Sequence, residues 1–169
     1  ALEVMVAGFV FLGFAVGAVV GAKLARPDAA CVGFTGDGAF MMQGAEISTA
    51  ERNKVGAIWV VLQDNDLSMV TQGMEHFYGG DLAIWKDLYR LGDPDLAKFA
   101  EGLGAAAYTV NDPESFRGAL RNALKGAAEG KPQAIIARID TAAEPPYYNP
   151  LYAPTKAQAQ AIVAQGALR

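Results

Sequence analysis

Two kinds of segment alternate along the chain. Short, mostly apolar runs at Ala30–Thr35, Ala57–Leu62, Ala105–Val110 and Gln133–Asp140 have the length and continuous hydrophobicity of strands buried on both faces of a parallel sheet. Between them, helical spacing covers Gln43–Asn53, Leu82–Leu91 and Asp95–Leu103, and Asp112-Pro113 opens a helix whose Phe116, Leu120, Ala123, Leu124 and Ala127 share one face. Asp93 is placed to cap the Asp95–Leu103 helix, with Pro94 in its first turn and Gly102 or Gly104 ending it. Strands separated by helices in this way predict an α/β fold, a doubly wound parallel sheet with helices on both faces. No internal repeat interrupts the pattern.

The two ends have a different character. Val4–Ala22 is nineteen residues without a polar side chain, close to membrane-spanning length, and Gly13, Gly17 and Gly21 recur at the spacing that lets helices approach closely. The run is rich in Ala and Gly and continues through Lys23 and Arg26 into the α/β pattern, so it reads as a buried helix, with a membrane span the alternative. No basic segment precedes it as in a signal peptide, and Ala1 is not an initiator, which suggests a fragment or a chain whose beginning was removed. At the other end, Glu144–Pro154 carries four prolines and three tyrosines, an extended arm before a final helix from Thr155 to about Ala167. The expected organisation is one domain over residues 1–140, with residues 141–169 packing on it or on a neighbour.

Composition narrows the function classes. A chain of 169 residues, 52% of them hydrophobic, suffices for one domain with a sizeable core. With 18 acidic against 14 basic residues and no long run of either sign, it lacks the electrostatic footprint of a nucleic-acid binder. The single cysteine, Cys31, excludes an internal disulfide or an iron–sulfur site and fits a reduced, cytoplasmic setting. The single histidine, His76, excludes multi-histidine metal centres.

Chemistry concentrates at two strand ends. Gly36-Asp37-Gly38 ends the first apolar run, and Gln63-Asp64-Asn65-Asp66 ends the second. In a parallel sheet both clusters reach the carboxyl edge, where open α/β folds bind ligands. A carboxylate between glycines leaves backbone N–H groups free to approach an anion while the side chain takes a cation. A hard cation such as Mg²⁺ takes about six oxygens, usually one or two from carboxylates and the rest from phosphates and water. Asp37, Asp64 and the main-chain carbonyl of Asp66 can be its protein ligands. The N–H groups of Gly38, Ala39, Leu67, Ser68 and Met69 are placed to meet a diphosphate.

Gly-Asp-Gly followed after about 27 residues by an Asn/Asp cluster resembles the diphosphate-binding motif of thiamine diphosphate enzymes. The likeness covers roughly residues 5–140: the helix through Gly21-Ala22-Lys23-Leu24-Ala25-Arg26-Pro27-Asp28 precedes the motif, and Met69-Val70-Thr71-Gln72, Phe77-Tyr78 and Pro94–Ala100 resemble the acetohydroxyacid (acetolactate) synthase branch. The resemblance implies a pyrophosphate-binding domain for Mg²⁺ and thiamine diphosphate. By position, Leu12 matches the aliphatic residue that props the cofactor into its bent form, and Val10 the carbonyl that meets the aminopyrimidine. Gln72, Gly73 and His76, with Met69, Met74, Phe77 and Tyr78, match positions near the substrate.

Departures from the family pattern are informative. Asp64 stands where Asn is usual, so a second carboxylate reduces the charge left on the cation for the diphosphate; a one-residue shift would make Asn65 the ligand instead. Gly73 stands where acetohydroxyacid synthases carry Trp, which puts their substrate preference in question. The glutamate that activates the cofactor belongs to another domain of a neighbouring subunit in the family and has no match here; Glu46 reads as structural or solvent-facing. The resemblance therefore implies half of an active site, completed by a pyrimidine-binding domain in an oligomer. The reaction it implies is decarboxylation of a 2-oxo acid, the remaining fragment being protonated or joined to a second carbonyl compound. Simple decarboxylation and a non-catalytic or membrane-anchored subunit are the other readings.

Overall fold

The structure, a computed structural model, describes residues 12–78 and 88–140. Val10, the first part of the Val4–Ala22 run, most of Leu82–Leu91, and the arm and helix beyond Asp140 lie outside the described residues. The described residues fall into two compact units, one of residues 12–63 with 95–139, the other of 64–78 and 88–94 with 140.

The first unit is built on four parallel strands, β1 (Val32–Gly36), β2 (Ile58–Gln63), β3 (Ala106–Val110) and β4 (Gln133–Arg138), in the order β1-β2-β4-β3. All four predicted strands form, displaced by no more than two residues at either end. Their helices are α1 (Phe14–Ala25), α2 (Asp37–Gln43), α3 (Glu46–Arg52), α5 (Leu96–Gly102) and α6 (Pro113–Ala128); α4 (Ser68–Tyr78) belongs to the second unit. Alternate residues of β2 and β4 face opposite layers. Trp59, Val61, Ala134 and Ile136 pack with Val16, Val19, Phe40, Ile47 and Leu96 from α1, α2, α3 and α5. Ile58, Val60 and Ile135 pack with Ala119, Ala123 and Ala127 of α6. Helices thus cover both faces, as the strand and helix alternation predicts.

Three local readings change. The helix expected over Gln43–Asn53 is two short helices, and the first begins at Asp37, with Gly36 as an extended N-cap residue (φ −77°, ψ 163°). Gly44 separates them beneath the Phe99 ring, which meets Phe40 edge-on at 5.8 Å, leaving no room there for a side chain. On α6, Ala119 rather than Leu124 completes the buried face, because Leu124 is turned outward and exposed. Asp95, not Asp93, caps α5 by accepting the Lys98 N–H at 3.0 Å. The carboxylate must sit one residue before the first helical turn to reach that donor, and Asp93 is two residues too early.

α1 is held tightly against the sheet. The Trp59 indole N–H, wholly buried in β2, donates to the Val16 carbonyl at 3.0 Å. Gly33 of β1 permits the approach, since a Cβ there would stand 3.0 Å from the Ala15 carbonyl oxygen. α1 has twelve residues, and among the described residues no helix is long and apolar enough to cross a membrane.

Asp112 caps α6, accepting the Glu114 and Ser115 N–H groups at 2.8 and 2.9 Å and the Ser115 hydroxyl at 2.7 Å. The Ser115 hydroxyl first, and then the Ser115 N–H, hold this carboxyl below its ordinary value. Its stabilising effect is therefore present above the usual carboxylate range near about pH 4 and fades as pH falls through the lowered value. Asp112→Ala is expected to lower Tm by about 2–4 °C at neutral pH. The gap to the unsubstituted protein should narrow as pH falls below the usual carboxylate range, which thermal melts across pH will show.

Candidate active site

Register places the two motif strands side by side: β1 and β2 are adjacent, with Gly36 opposite Leu62. Asp37 and Gln63 therefore leave the sheet at the same carboxyl edge. Asp37 is only 3% exposed and occupies the first turn of α2, where Gly38 N–H donates to its Oδ1 at 2.7 Å. A buried carboxylate is costly unless matched by donors or a cation.

Gly36 is the informative neighbour. Its φ of −77° suits any residue, and a Cβ there would meet no heavy atom within 4 Å. Neither the backbone nor the packing of this chain requires glycine at that point, and the room it leaves is the kind a bound group would use. Gly38 is buried and Ala39 half-buried in the same turn. Leu12 is 65% exposed on the rim of an open groove of about 290 Å³ lined also by Gly13, Phe14, Gly17, Ala18 and Gln43. Glu46 is exposed at the start of α3, as expected for a solvent-facing residue.

The second unit begins at Asp64, one peptide bond beyond β2. Asp64 Oδ1 accepts the Asp66 N–H at 3.1 Å, and the Asp66 carboxylate accepts the Thr71 hydroxyl of α4 at 3.0 Å. Asp66 also lies opposite Arg90 in an antiparallel bridge. The backbone bonds there flank the pair, from Leu91 N–H to Asn65 O at 3.0 Å and from Leu67 N–H to Tyr89 O at 2.9 Å. In such a non-hydrogen-bonded pair the N–H and C=O of Asp66 point away from the bridge. Asn65 takes a left-handed conformation (φ 64°), and its amide nitrogen donates to Asp93 Oδ1 at 3.2 Å.

These bonds revise one expectation. The Leu67 N–H, read as a diphosphate donor, is already committed to the Tyr89 carbonyl. Ser68 opens α4, and its Oγ is buried with no hydrogen-bond partner among the described residues. An orphaned hydroxyl at a helix start fits a site built for an anion. Met69 is 63% exposed in the same turn, and Gln72 and Gly73 lie half-buried one turn on. His76 belongs to the backbone of α4 near its end. The bridge from Tyr89 to Leu91 and the Asn65–Asp93 bond were not legible in the sequence, where their partners stand more than twenty residues apart and no motif links them.

Comparison with known proteins identifies the family. The family described as "Thiamine pyrophosphate enzyme, C-terminal TPP binding domain" matches residues 3–137. The mitochondrial acetolactate synthase catalytic subunit of Aspergillus candidus is 34% identical over 110 residues, 65% of this chain and 15% of that protein. The acetolactate synthase large subunit of Porphyra purpurea is 28% identical over 156 residues, 92% of this chain and 25% of that protein. Among solved structures, the thiamine diphosphate-dependent 4-hydroxybenzoylformate decarboxylase of Rhodococcus jostii RHA1 superposes with a TM-score of 0.68 at 26% identity, over 76% of this chain and 23% of that one. The chain thus spans a quarter or less of the length of these relatives. With the family matched over most of its length, and with its two motif strands ending at one sheet edge, the chain belongs to the thiamine pyrophosphate enzymes, as their C-terminal thiamine pyrophosphate-binding domain.

Proposed function

We propose that this domain holds thiamine diphosphate through Mg²⁺ and forms half of an active site for decarboxylation of a 2-oxo acid followed by carboligation, as in acetolactate synthases. The observation that carries the reading is the turn at Gly36-Asp37, an open glycine beside a buried carboxylate at the edge of the sheet. Asp37 and Asp64 serve as carboxylate ligands and Asp66 contributes its main-chain carbonyl. Among the described residues no three His, Cys, Asp or Glu side chains gather as a metal-holding group. The proposed shell needs only two carboxylates and one carbonyl, with phosphate and water oxygens supplying the rest.

The N–H groups of Gly38 and Ala39, with those of Ser68 and Met69 and the Ser68 hydroxyl, receive the diphosphate. Leu12 supports the bend of the cofactor, and Gln72, Gly73 and His76 are assigned to the substrate by their positions in the sequence. When bound, the cofactor supplies the electron sink for cleaving and forming carbon–carbon bonds beside a carbonyl. A pyrimidine-binding domain, from the same polypeptide or another subunit of an oligomer, contributes the activating glutamate in the cytoplasm. Simple decarboxylation is the second reading, favoured by the structural likeness to a decarboxylase.

Ungapped spacing from Asp37 favours Asp64 over Asn65 as the ligand. Calorimetric titration with thiamine diphosphate and Mg²⁺ should show Asp64→Ala weakening binding by about 100-fold, against less than about tenfold for Asn65→Ala. Equal or reversed losses would move the ligand to Asn65, and no binding by the unsubstituted protein would remove the reading altogether. Product formation from pyruvate or another 2-oxo acid, with the completing domain present, separates the catalytic readings from a non-catalytic subunit.

A further inference from the structure

The loop that carries Asp64 and Asp66 is braced from one side. Tyr89 and Leu91 hold it through two backbone hydrogen bonds, and beyond them Asp93 reaches the side chain of Asn65. Asn65 is the pivot. Its left-handed backbone turns the chain between Asp64 and Asp66, a conformation that Asn tolerates better than most residues but still at some cost. A carboxylate that accepts from its amide offsets that cost and fixes the turn. The turn in turn sets Asp64 Oδ1 on the Asp66 N–H and leaves the Asp66 carbonyl pointing away from the bridge. The cap of α5 is Asp95.

We propose that Asp93 is a positioning residue for the metal loop, acting through the Asn65 side chain to hold Asp64 and the Asp66 carbonyl in their liganding arrangement. This rests on the reading above that the loop binds Mg²⁺ with thiamine diphosphate. Asp93 itself touches neither cofactor nor metal in this proposal, so its loss weakens binding without abolishing it.

The test is a set of Mg²⁺ titrations of the purified protein with thiamine diphosphate present, paired with amide hydrogen exchange of the cofactor-free protein. Asp93→Ala should weaken Mg²⁺ binding about fivefold and speed exchange at the Leu67 and Leu91 amides, while Tm stays within about 2 °C because the bond is exposed. Asp93→Asn, which keeps an accepting oxygen, should restore most of the affinity. Asn65→Gly keeps the left-handed turn without the side chain, so in that background Asp93→Ala should have no further effect. If Asp93→Ala leaves affinity and exchange unchanged, or weakens binding equally in the Asn65→Gly background, the proposal is overturned. If the unsubstituted protein binds no Mg²⁺ with the cofactor, the functional reading fails and the proposal with it.

Discussion

Asp37→Asn is expected to lower affinity for thiamine diphosphate with Mg²⁺ by at least about 100-fold while leaving the cofactor-free fold as stable as before. The side chain is nearly isosteric and can still accept the Gly38 N–H, so the first turn of α2 keeps its local bond. The charge is lost, and one carboxylate oxygen becomes an amide N–H donor. With the cation present, the same charge is the chief attraction at the sheet edge. Calorimetry on the loaded protein and urea denaturation of the cofactor-free protein separate the two effects. Unchanged affinity would exclude Asp37 as the ligand, and a loss of stability larger than about 2 kcal/mol would mark it as a structural buried group instead.

Trp59→Ala is expected to cost about 4 kcal/mol of stability, the largest loss from any single truncation in this sheet. The indole is fully buried near the start of β2 among residues from α1, α3 and β4, and it carries the bond to the Val16 carbonyl that ties α1 to the sheet. Truncation leaves a cavity where α1 crosses the strand, which the close approach at Gly33 cannot collapse to fill. Trp59→Phe keeps most of the volume and should cost about 1–2 kcal/mol, since Val16 retains a place in the helix ladder. Urea unfolding monitored by circular dichroism measures both. A loss below about 1 kcal/mol for Trp59→Ala would show that α1 is held by other contacts.

The strands were readable because buried parallel strands leave a local signature, an unbroken apolar run bounded by turn residues. Ile58–Leu62 and Gln133–Ile136 needed no tertiary information to be recognised. The residues proposed for the metal loop stand out for a different reason: the motif depends on residue type at a fixed spacing from Asp37. Helix boundaries were less legible. Gly36-Asp37-Gly38 reads as a turn before a helix, whereas α2 starts at Asp37 itself, with Gly36 as its extended N-cap residue. Asp93 and Asp95 look alike as caps in sequence, and only the geometry of the first turn of α5 assigns the role to Asp95.

By itself, the sequence determined the α/β alternation and set Gly36-Asp37-Gly38 and Gln63-Asp64 at the ends of two apolar runs, since each follows from local periodicity or residue type at short range. The tertiary structure decided which strands are neighbours, β1 beside β2 and β3 at the far edge. It also decided that Asn65 answers to Asp93 and Asp66 to Thr71, that the Leu67 N–H is spent on Tyr89, and that the Ser68 hydroxyl is buried without a partner among the described residues. Those outcomes depend on contacts between segments that carry no mark of one another, and hydrogen-bond direction and burial exist only once the chain has closed around them.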